Sequence, residues 1–278
     1  MKTLLVPTEH HDLMTSVLET ALQVARKFDG YIEGFALRPA IDNFAAMDPV
    51  SSMAVATVRQ HDEEAAEQAR LLFDTFMKDH GLPRAGPGSS KLACGWFDAA
   101  PDGDDFVGSY GRVFDLTVLG QPGHEAQSPR MATLETALFE SGRPVLIAPS
   151  SVPTRLGENV LIAWNCSTEQ ARTTAFAMPL LRTAKQVTVL TVEGGTVPGP
   201  PGTKLVATLE RHCIPARAVT LSPGRRTSGE AILAHAQSLG CDLLVKGAYT
   251  QSRLRQMIFG GATRHILAHA HLPVLMAH

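Results

Sequence analysis

Short apolar runs alternate with segments of helical apolar spacing through the second part of this chain. The short runs predict strands at 160–164, 186–192, 216–221, 243–245 and 273–276. The segments between them predict helices at 168–182, 204–212, 228–239 and 262–270, with Ser228 as N-cap of the third. Strands that alternate with amphipathic helices indicate an α/β fold, with a parallel sheet covered on both faces.

Three sequence blocks occur twice, in the same order. The segment TLLVPTEHHDL near the start corresponds to NVLIAWNCSTE near the middle, FDLTVLGQPG corresponds to CDLLVKGAYT, and RPVLIAP corresponds to LPVLMAH. We therefore predict two domains, residues 1–152 and 157–278, joined by the linker SVPTRLGEN with its proline and glycine.

The first half differs from the second by an insert at 39–66, after a strand predicted at 31–37. We expect this insert to begin as a loop and to run into a helix at 62–80. Such a segment would either cover a site or pad an interface, and the sequence leaves both alternatives open.

Composition narrows the class of protein. The chain has 278 residues, of which 44% are hydrophobic and 19% charged, a globular composition with a buried core. The net charge is -2 and the basic residues are dispersed, which argues against nucleic acid as a partner. No apolar stretch reaches the roughly 18 residues needed to span a bilayer, and the start MKTLLVPTEHHDL lacks a signal-peptide pattern. We expect a cytoplasmic protein that does not enter a membrane.

Cysteine and histidine side chains are the usual candidates for metal ligands. The four cysteines are Cys94, Cys166, Cys213 and Cys241. None forms a CxxC pair, so we expect reduced, mostly buried thiols.

His265 and His269 have a spacing that suits zinc, but no further ligand stands near them, and a partly exposed helix face is expected. His10 and His11 follow the first strand and are expected to cap a helix rather than to contact phosphate.

Candidate ligand-binding residues lie where strands of the second half end, the usual site in open α/β sheets. Asn165 follows the first of these strands, and its amide suits either the edge of a base or the cap of the next helix. Gly247 ends the fourth strand, and Gly260 and Gly261 precede a helix. Such glycines let a backbone approach a phosphate beside free helix N–H groups, or they serve turns alone.

This spacing resembles the nucleotide-binding signature of the universal stress protein family, which reads G-x-x-G, nine residues, then G-[Ser/Thr], a helix and a short PVL strand. The segments LLVP with Glu9, VLIAWNCS, GEAIL, CDLLVKGAY and LPVLMAH stand where that family has them. The resemblance covers nearly the whole chain, twice, and implies a tandem member. It implies two Rossmann-like, five-stranded parallel-sheet domains that form an intrachain pseudo-dimer by pairing 144–148 with 273–277. It also implies ATP binding, which some members show.

The resemblance carries over to the second half residue by residue. Asn165 stands where ATP-binding members have an aspartate at the adenine. Gly247 and Gly260 match the motif. Thr250 replaces its second glycine, and Gly261 replaces its Ser/Thr.

Two further features of the second half would compensate for these departures. Thr263 would supply the missing hydroxyl, and Arg253 and Arg255 would pair with phosphate. The residues expected to bind ATP, with Mg²⁺ as an accompanying ion, are Ala163, Asn165, Val192, Gly247, Thr250, Arg253, Gly260, Gly261, Ala262 and Thr263.

The first half departs further from the motif. Gly120 and Gly123 keep its opening, but Thr133 stands where the later glycine is expected. Glu125 and Pro129 lie in the intervening loop, where a phosphate would be held. We expect this half not to bind ATP.

The sequence contains no G-x-S-x-G elbow and no Walker A motif. These absences argue against a metabolic enzyme, and the family resemblance implies a stress-response binding module for an adenine nucleotide or an unknown protein partner. A ligand-free interaction scaffold and a weak ATPase stay open as alternatives, as does association into a homodimer.

Overall fold

The computed structural model describes residues 1–38, 49–86, 91–123, 129–248 and 260–278, and of residues 49–59 it describes the backbone alone. The described residues form ten strands and eight helices. The elements of the first half are β1 (Thr3–Thr8), α1 (Met14–Phe28), β2 (Tyr31–Ala36), α2 (Pro49–Asp79), β3 (Ala93–Trp96), α3 (Asp105–Gly111), β4 (Leu116–Gly120), α4 (Met131–Glu140) and β5 (Val145–Ala148). The elements of the second half are β6 (Asn159–Ala163), α5 (Thr168–Leu181), β7 (Gln186–Val192), α6 (Gly202–Arg211), β8 (Ala216–Leu221), α7 (Ser228–Ser238), β9 (Leu243–Gly247), α8 (Gly261–His269) and β10 (Val274–Ala277).

All ten strands belong to one sheet, in the order β3-β2-β1-β4-β5-β10-β9-β6-β7-β8. The two halves thus repeat one strand order, mirrored about the centre of the sheet. Neighbouring strands are parallel within each half, and β5 and β10 meet antiparallel, with Leu275 opposite Leu146. This confirms the predicted α/β fold and the pairing of the two halves into an intrachain pseudo-dimer.

Helices cover both faces of the sheet. The core on one face contains residues of α1, α2, α5 and α6, and the core on the other contains residues of α3, α4, α7 and α8. Along β6, Val160 and Ile162 belong to the first core and Leu161 to the second. Both faces of a central strand such as β6 are therefore buried, which explains why such strands read as continuous apolar runs.

The predicted elements of the second half differ from the observed ones by at most two residues at their ends. The predicted N-cap of α7, Ser228, was wrong, because the cap is Thr227. The Oγ1 atom of Thr227 accepts from the Glu230 N–H at 3.3 Å, and the Glu230 carboxylate accepts from the Thr227 N–H at 2.7 Å. This reciprocal pair satisfies two helix-end donors, which favours Thr227 over its neighbour.

The insert of the first half becomes helical earlier than predicted. Helix α2 begins at Pro49, so the predicted start at 62 was wrong. Proline is favoured in the first turn of a helix, where its missing N–H costs no hydrogen bond. Residues 39–48 of the insert lie outside the described residues. Among the described helices, none combines the length and the apolar character required to cross a membrane.

All four cysteines are free thiols. Cys94 is buried, Cys166 and Cys241 are half-buried, and Cys213 is exposed, so the expectation of mostly buried thiols was wrong. Cys213 follows α6 in a left-handed backbone conformation with φ 58°. It lies in a connection between a helix and a strand, and such connections run over the protein surface.

Candidate functional site

A cavity of about 240 Å³ lies where strands β6, β7 and β9 end and helices α7 and α8 begin. Its lining includes most of the residues predicted from the sequence, namely Ala163, Asn165, Val192, Gly260, Gly261, Ala262 and Thr263. The remaining lining residues were not predicted, and they are Trp164, Leu190, Gly195, Ser228, Ile232 and Lys246. The cavity is therefore at the carboxyl ends of the strands, the position that parallel α/β sheets use for ligands.

The other predicted residues are not part of this lining. Thr250, Arg253 and Arg255 lie outside the described residues. The Gly247 N–H donates to the Gln170 side-chain oxygen at 2.7 Å. A Cβ atom at Gly247 would lie 2.5 Å from the Gln170 backbone nitrogen. Close packing of β9 against α5 therefore accounts for this glycine without any ligand.

The start of helix α8 opens onto the cavity. Among the described residues, no side chain caps this end of the helix at Gly260, and a Cβ atom at Gly260 or Gly261 would meet none of their atoms within 4 Å. The first N–H groups of a helix have no partner within the helix and carry partial positive charge. Thr263 is 4% exposed, and its hydroxyl has no hydrogen-bond partner among the described residues. Free donors and open space at one helix end suit the oxygen atoms of a phosphate.

Asn165 has the turn role that the sequence left open. Its Oδ1 atom accepts from the Ser167 N–H at 3.2 Å. The Ser167 hydroxyl accepts in turn from the Gln170 N–H at 3.1 Å, as the N-cap of α5. Asn165 also lines the cavity, and its side-chain N–H donors have no partner among the described residues. The turn role and a contact with a ligand are therefore compatible.

Lys246 is the one ionisable residue among the described residues that line the cavity. It is 6% exposed, and its Nζ atom donates to the Gly247 carbonyl oxygen at 2.7 Å. Burial lowers the pKa of Lys246 to about 8, although the carboxylate of Glu169 partly opposes this shift. The available signal in the sequence was a single lysine inside the apolar strand LLVKG.

The first half has a different arrangement at the corresponding place. Leu119 precedes the last glycine of β4, as Lys246 precedes that of β9. Arg130 is the N-cap residue of α4, as Gly260 is of α8. The remaining space there has a volume of about 10 Å³.

Side chains of the first half occupy this place themselves. Arg130 forms an ion pair of 2.9 Å with Asp104 and lies 4.0 Å from the carboxylate of Glu9. The Thr133 hydroxyl donates to the same Asp104 carboxylate at 2.5 Å. The ring of Pro129 would lie 2.5 Å from a Cβ atom at Gly120. These contacts favour the expectation that the first half does not bind ATP, which stays a prediction.

The histidines that the sequence singled out do not line the cavity of the second half. The rings of His265 and His269 stack with centroids 4.3 Å apart. They line a larger, open groove of about 810 Å³ beside the linker, and none of the predicted site residues lines it. The described parts of the chain contain no group of three or more His, Cys, Asp or Glu side chains that could hold a metal ion. His11 accepts from the Leu13 N–H at 3.1 Å, next to the start of α1.

Comparisons with known proteins agree with this architecture. The Universal stress protein family matches residues 207–278. No curated protein sequence matches the chain. A universal stress protein from Archaeoglobus fulgidus DSM 4304 has a TM-score of 0.68 at 15% identity, with 99% of this chain and 97% of that chain covered. A protein of unknown function from Pseudomonas aeruginosa PAO1 has a TM-score of 0.54 at 14% identity, with 100% and 92% covered.

The fold is that of an α/β protein with two similar halves, and the second half has an open cavity at the carboxyl ends of its strands. The matched region 207–278 contains α7, β9, α8 and β10, and with them the start of α8 and Lys246. Residues 207–278 therefore match the universal stress protein family, and the whole chain shares the fold of the Archaeoglobus universal stress protein.

Proposed function

We propose that this chain is a cytoplasmic stress-response module that binds an adenine nucleotide, with ATP as the first choice, in the cavity of its second half. The observation that carries the proposal is the uncapped start of α8, which opens onto this cavity with free space at Gly260 and Gly261. The nucleotide phosphates would accept hydrogen bonds from the N–H groups of this first turn and from the Thr263 hydroxyl. The bound state would then be recognised by a protein partner.

Other residues of the cavity lining suit the base. Leu190, Val192 and Ile232 provide apolar walls, and ligand pockets combine such walls with a few polar groups that fix orientation. Asn165 and Ala163 stand at the end of β6, where the amide of Asn165 would meet the polar edge of adenine. Thr250 and Arg253 belong to the proposal as further phosphate contacts, and Mg²⁺ as an ion that accompanies ATP.

Calorimetry on nucleotide-stripped protein with ATP and Mg²⁺ tests this proposal. We expect one equivalent of ATP per chain and loss of binding in Gly260→Glu, because the new carboxylate would occupy the phosphate position and repel it. Gly86→Glu is a matched control, since Gly86 is an exposed glycine whose Cβ would also meet nothing within 4 Å. It should bind ATP like the unmodified protein.

Two results would contradict the proposal. One is the absence of binding for ATP, ADP and AMP in the unmodified protein. The other is unchanged binding in Gly260→Glu, which would place the nucleotide away from α8. Either result would favour the alternative of an interaction scaffold that uses no nucleotide.

A further inference from the structure

The positive charge of Lys246 is buried without a carboxylate partner among the described residues. Its side chain is 6% exposed, and only one of its donors is used, in the bond of 2.7 Å to the Gly247 carbonyl oxygen. An ammonium group carries three donors, and a buried charge is costly unless it is paired. The other two donors have no partner among the described residues.

No nearby carboxylate neutralises this charge. Glu169, at the start of α5, raises the pKa of Lys246 by its charge, but no carboxylate of the described residues forms an ion pair with Lys246 within 4.0 Å. The described lining contributed by β6, β7, α7 and α8 contains no other ionisable side chain. The cavity wall therefore combines an uncompensated ammonium with the positive end of helix α8, and both favour an anion.

At the corresponding place in the first half, the cation has a carboxylate partner. There the cation is Arg130, paired at 2.9 Å with Asp104, and almost no space is left beside it. The position that corresponds to Lys246 is the apolar Leu119. One chain thus contains one closed, internally neutralised site and one open site with unneutralised positive charge.

We infer that Lys246 selects the charge of the ligand, because its ammonium pairs with a phosphate group and so favours a phosphorylated nucleoside over a neutral one. This inference rests on the proposed nucleotide site and adds the residue that distinguishes nucleotide from nucleoside. Pairing with phosphate would also make Lys246 bind its proton more tightly. Burial lowers the pKa of Lys246 to about 8, so the free site is partly deprotonated near pH 8 and binding should take up protons.

The test is calorimetry at pH 8 with ATP and with adenosine, in two buffers of different ionisation enthalpy. We expect proton uptake with ATP, and binding of adenosine at least tenfold weaker. Lys246→Met should weaken ATP binding at least tenfold and abolish the proton uptake. Lys204→Met is the matched control, because it removes the same charge from an exposed position of α6 outside the cavity, and it should behave like the unmodified protein.

Failure of this inference is distinct from failure of the nucleotide proposal. Equal ATP affinity and equal proton uptake in Lys246→Met would overturn the role of Lys246 and leave the nucleotide site standing. A titration with inorganic pyrophosphate separates the role of Lys246 from the nucleotide proposal. If the protein binds pyrophosphate through Lys246 but binds no ATP, the charge selection stands and the nucleotide proposal falls. If it binds neither, both fall.

The variant should fold, because β4 has an apolar leucine at the corresponding position. Circular dichroism of Lys246→Met checks this point before the titration. The comparison of ATP with adenosine uses the unmodified protein and needs no variant. Binding of ATP that is no tighter than binding of adenosine would by itself overturn the inference.

Discussion

The guanidinium group of Arg130 lies 2.9 Å from the carboxylate of Asp104, at the place where the second half of the chain has its cavity. Both side chains are mostly withdrawn from solvent, with exposures of 22% and 21%. The first half therefore supplies its own anion to the cation at the start of α4. This pairing gives the two halves different chemistry on the same fold.

Removal of Arg130 tests whether this ion pair stabilises the first half. In Arg130→Met we expect the free energy of unfolding to fall by about 1–3 kcal/mol, because Asp104 loses its charged partner in a partly buried position. Urea denaturation measures the change. Lys185→Met is the control, since Lys185 lies 2.9 Å from Glu158 but is 76% exposed. It should cost less than about 1 kcal/mol, and equal losses in both variants would contradict the argument.

Two glycines of the nucleotide-type motif should respond differently to alanine. In Gly247→Ala the new Cβ would lie 2.5 Å from the backbone nitrogen of Gln170, and overpacking of this kind costs about 1–3 kcal/mol. In Gly260→Ala the methyl group enters open space, and the cost should stay below about 1 kcal/mol. Thermal unfolding of both variants compares them directly. The reverse order of stability would show that Gly247 is not a packing glycine.

The buried charge of Lys246 should reduce stability in a pH-dependent way. The native pKa of Lys246, about 8, lies below its unfolded value, so the folded protein binds fewer protons between the two values. The contribution of Lys246 to the free energy of unfolding should therefore rise as the pH increases from about 8 towards 10.5. Below pH 8 the lysine is charged in both the folded and the unfolded state, and the full free-energy cost of burying its charge applies. A pKa shift of this size corresponds to at most about 3 kcal/mol.

Ligand-free Lys246→Met should accordingly be more stable than the unmodified protein at pH 7. This advantage should shrink at pH 10, where the unmodified lysine is largely neutral in the folded state. Urea denaturation at the two pH values measures both differences. A difference that does not change with pH would mean that the charge of Lys246 is compensated in the folded protein.

Thiol reactivity should follow the observed exposure of the cysteines. Cys213 is exposed and should alkylate first at pH 8. Burial raises the pKa of the Cys94 thiol, and it raises the pKa of Cys241 to about 11, so both should react slowly. Mass spectrometry after brief alkylation identifies the modified residue, and Cys213→Ser should remove the fast phase. Rapid labelling of Cys94 in the native protein would contradict its burial.

Part of the site was predictable from local sequence. Asn165, Gly260 and Gly261 were identified because strand ends and helix starts can be read from the apolar pattern, and parallel strands bring their carboxyl ends to one edge. Ala262 and Thr263 were expected from the family resemblance. Lys246 was missed because a polar residue near a strand end reads as an exposed one. Its burial follows from the assembled fold, where it lines a cavity together with residues of α7 and α8, and no local pattern contains this.

The sequence by itself determined the α/β class and the two repeated halves. These features follow from periodicities and repeats that lie along the chain, since strands buried on both faces must be apolar throughout. The pairing of β5 with β10 was expected only from the family resemblance. Only the tertiary structure decided that Gly247 is required by Gln170, and that Arg130 closes the first site with Asp104. These outcomes depend on distances between side chains far apart in sequence, and burial sets the energetic weight of each charge.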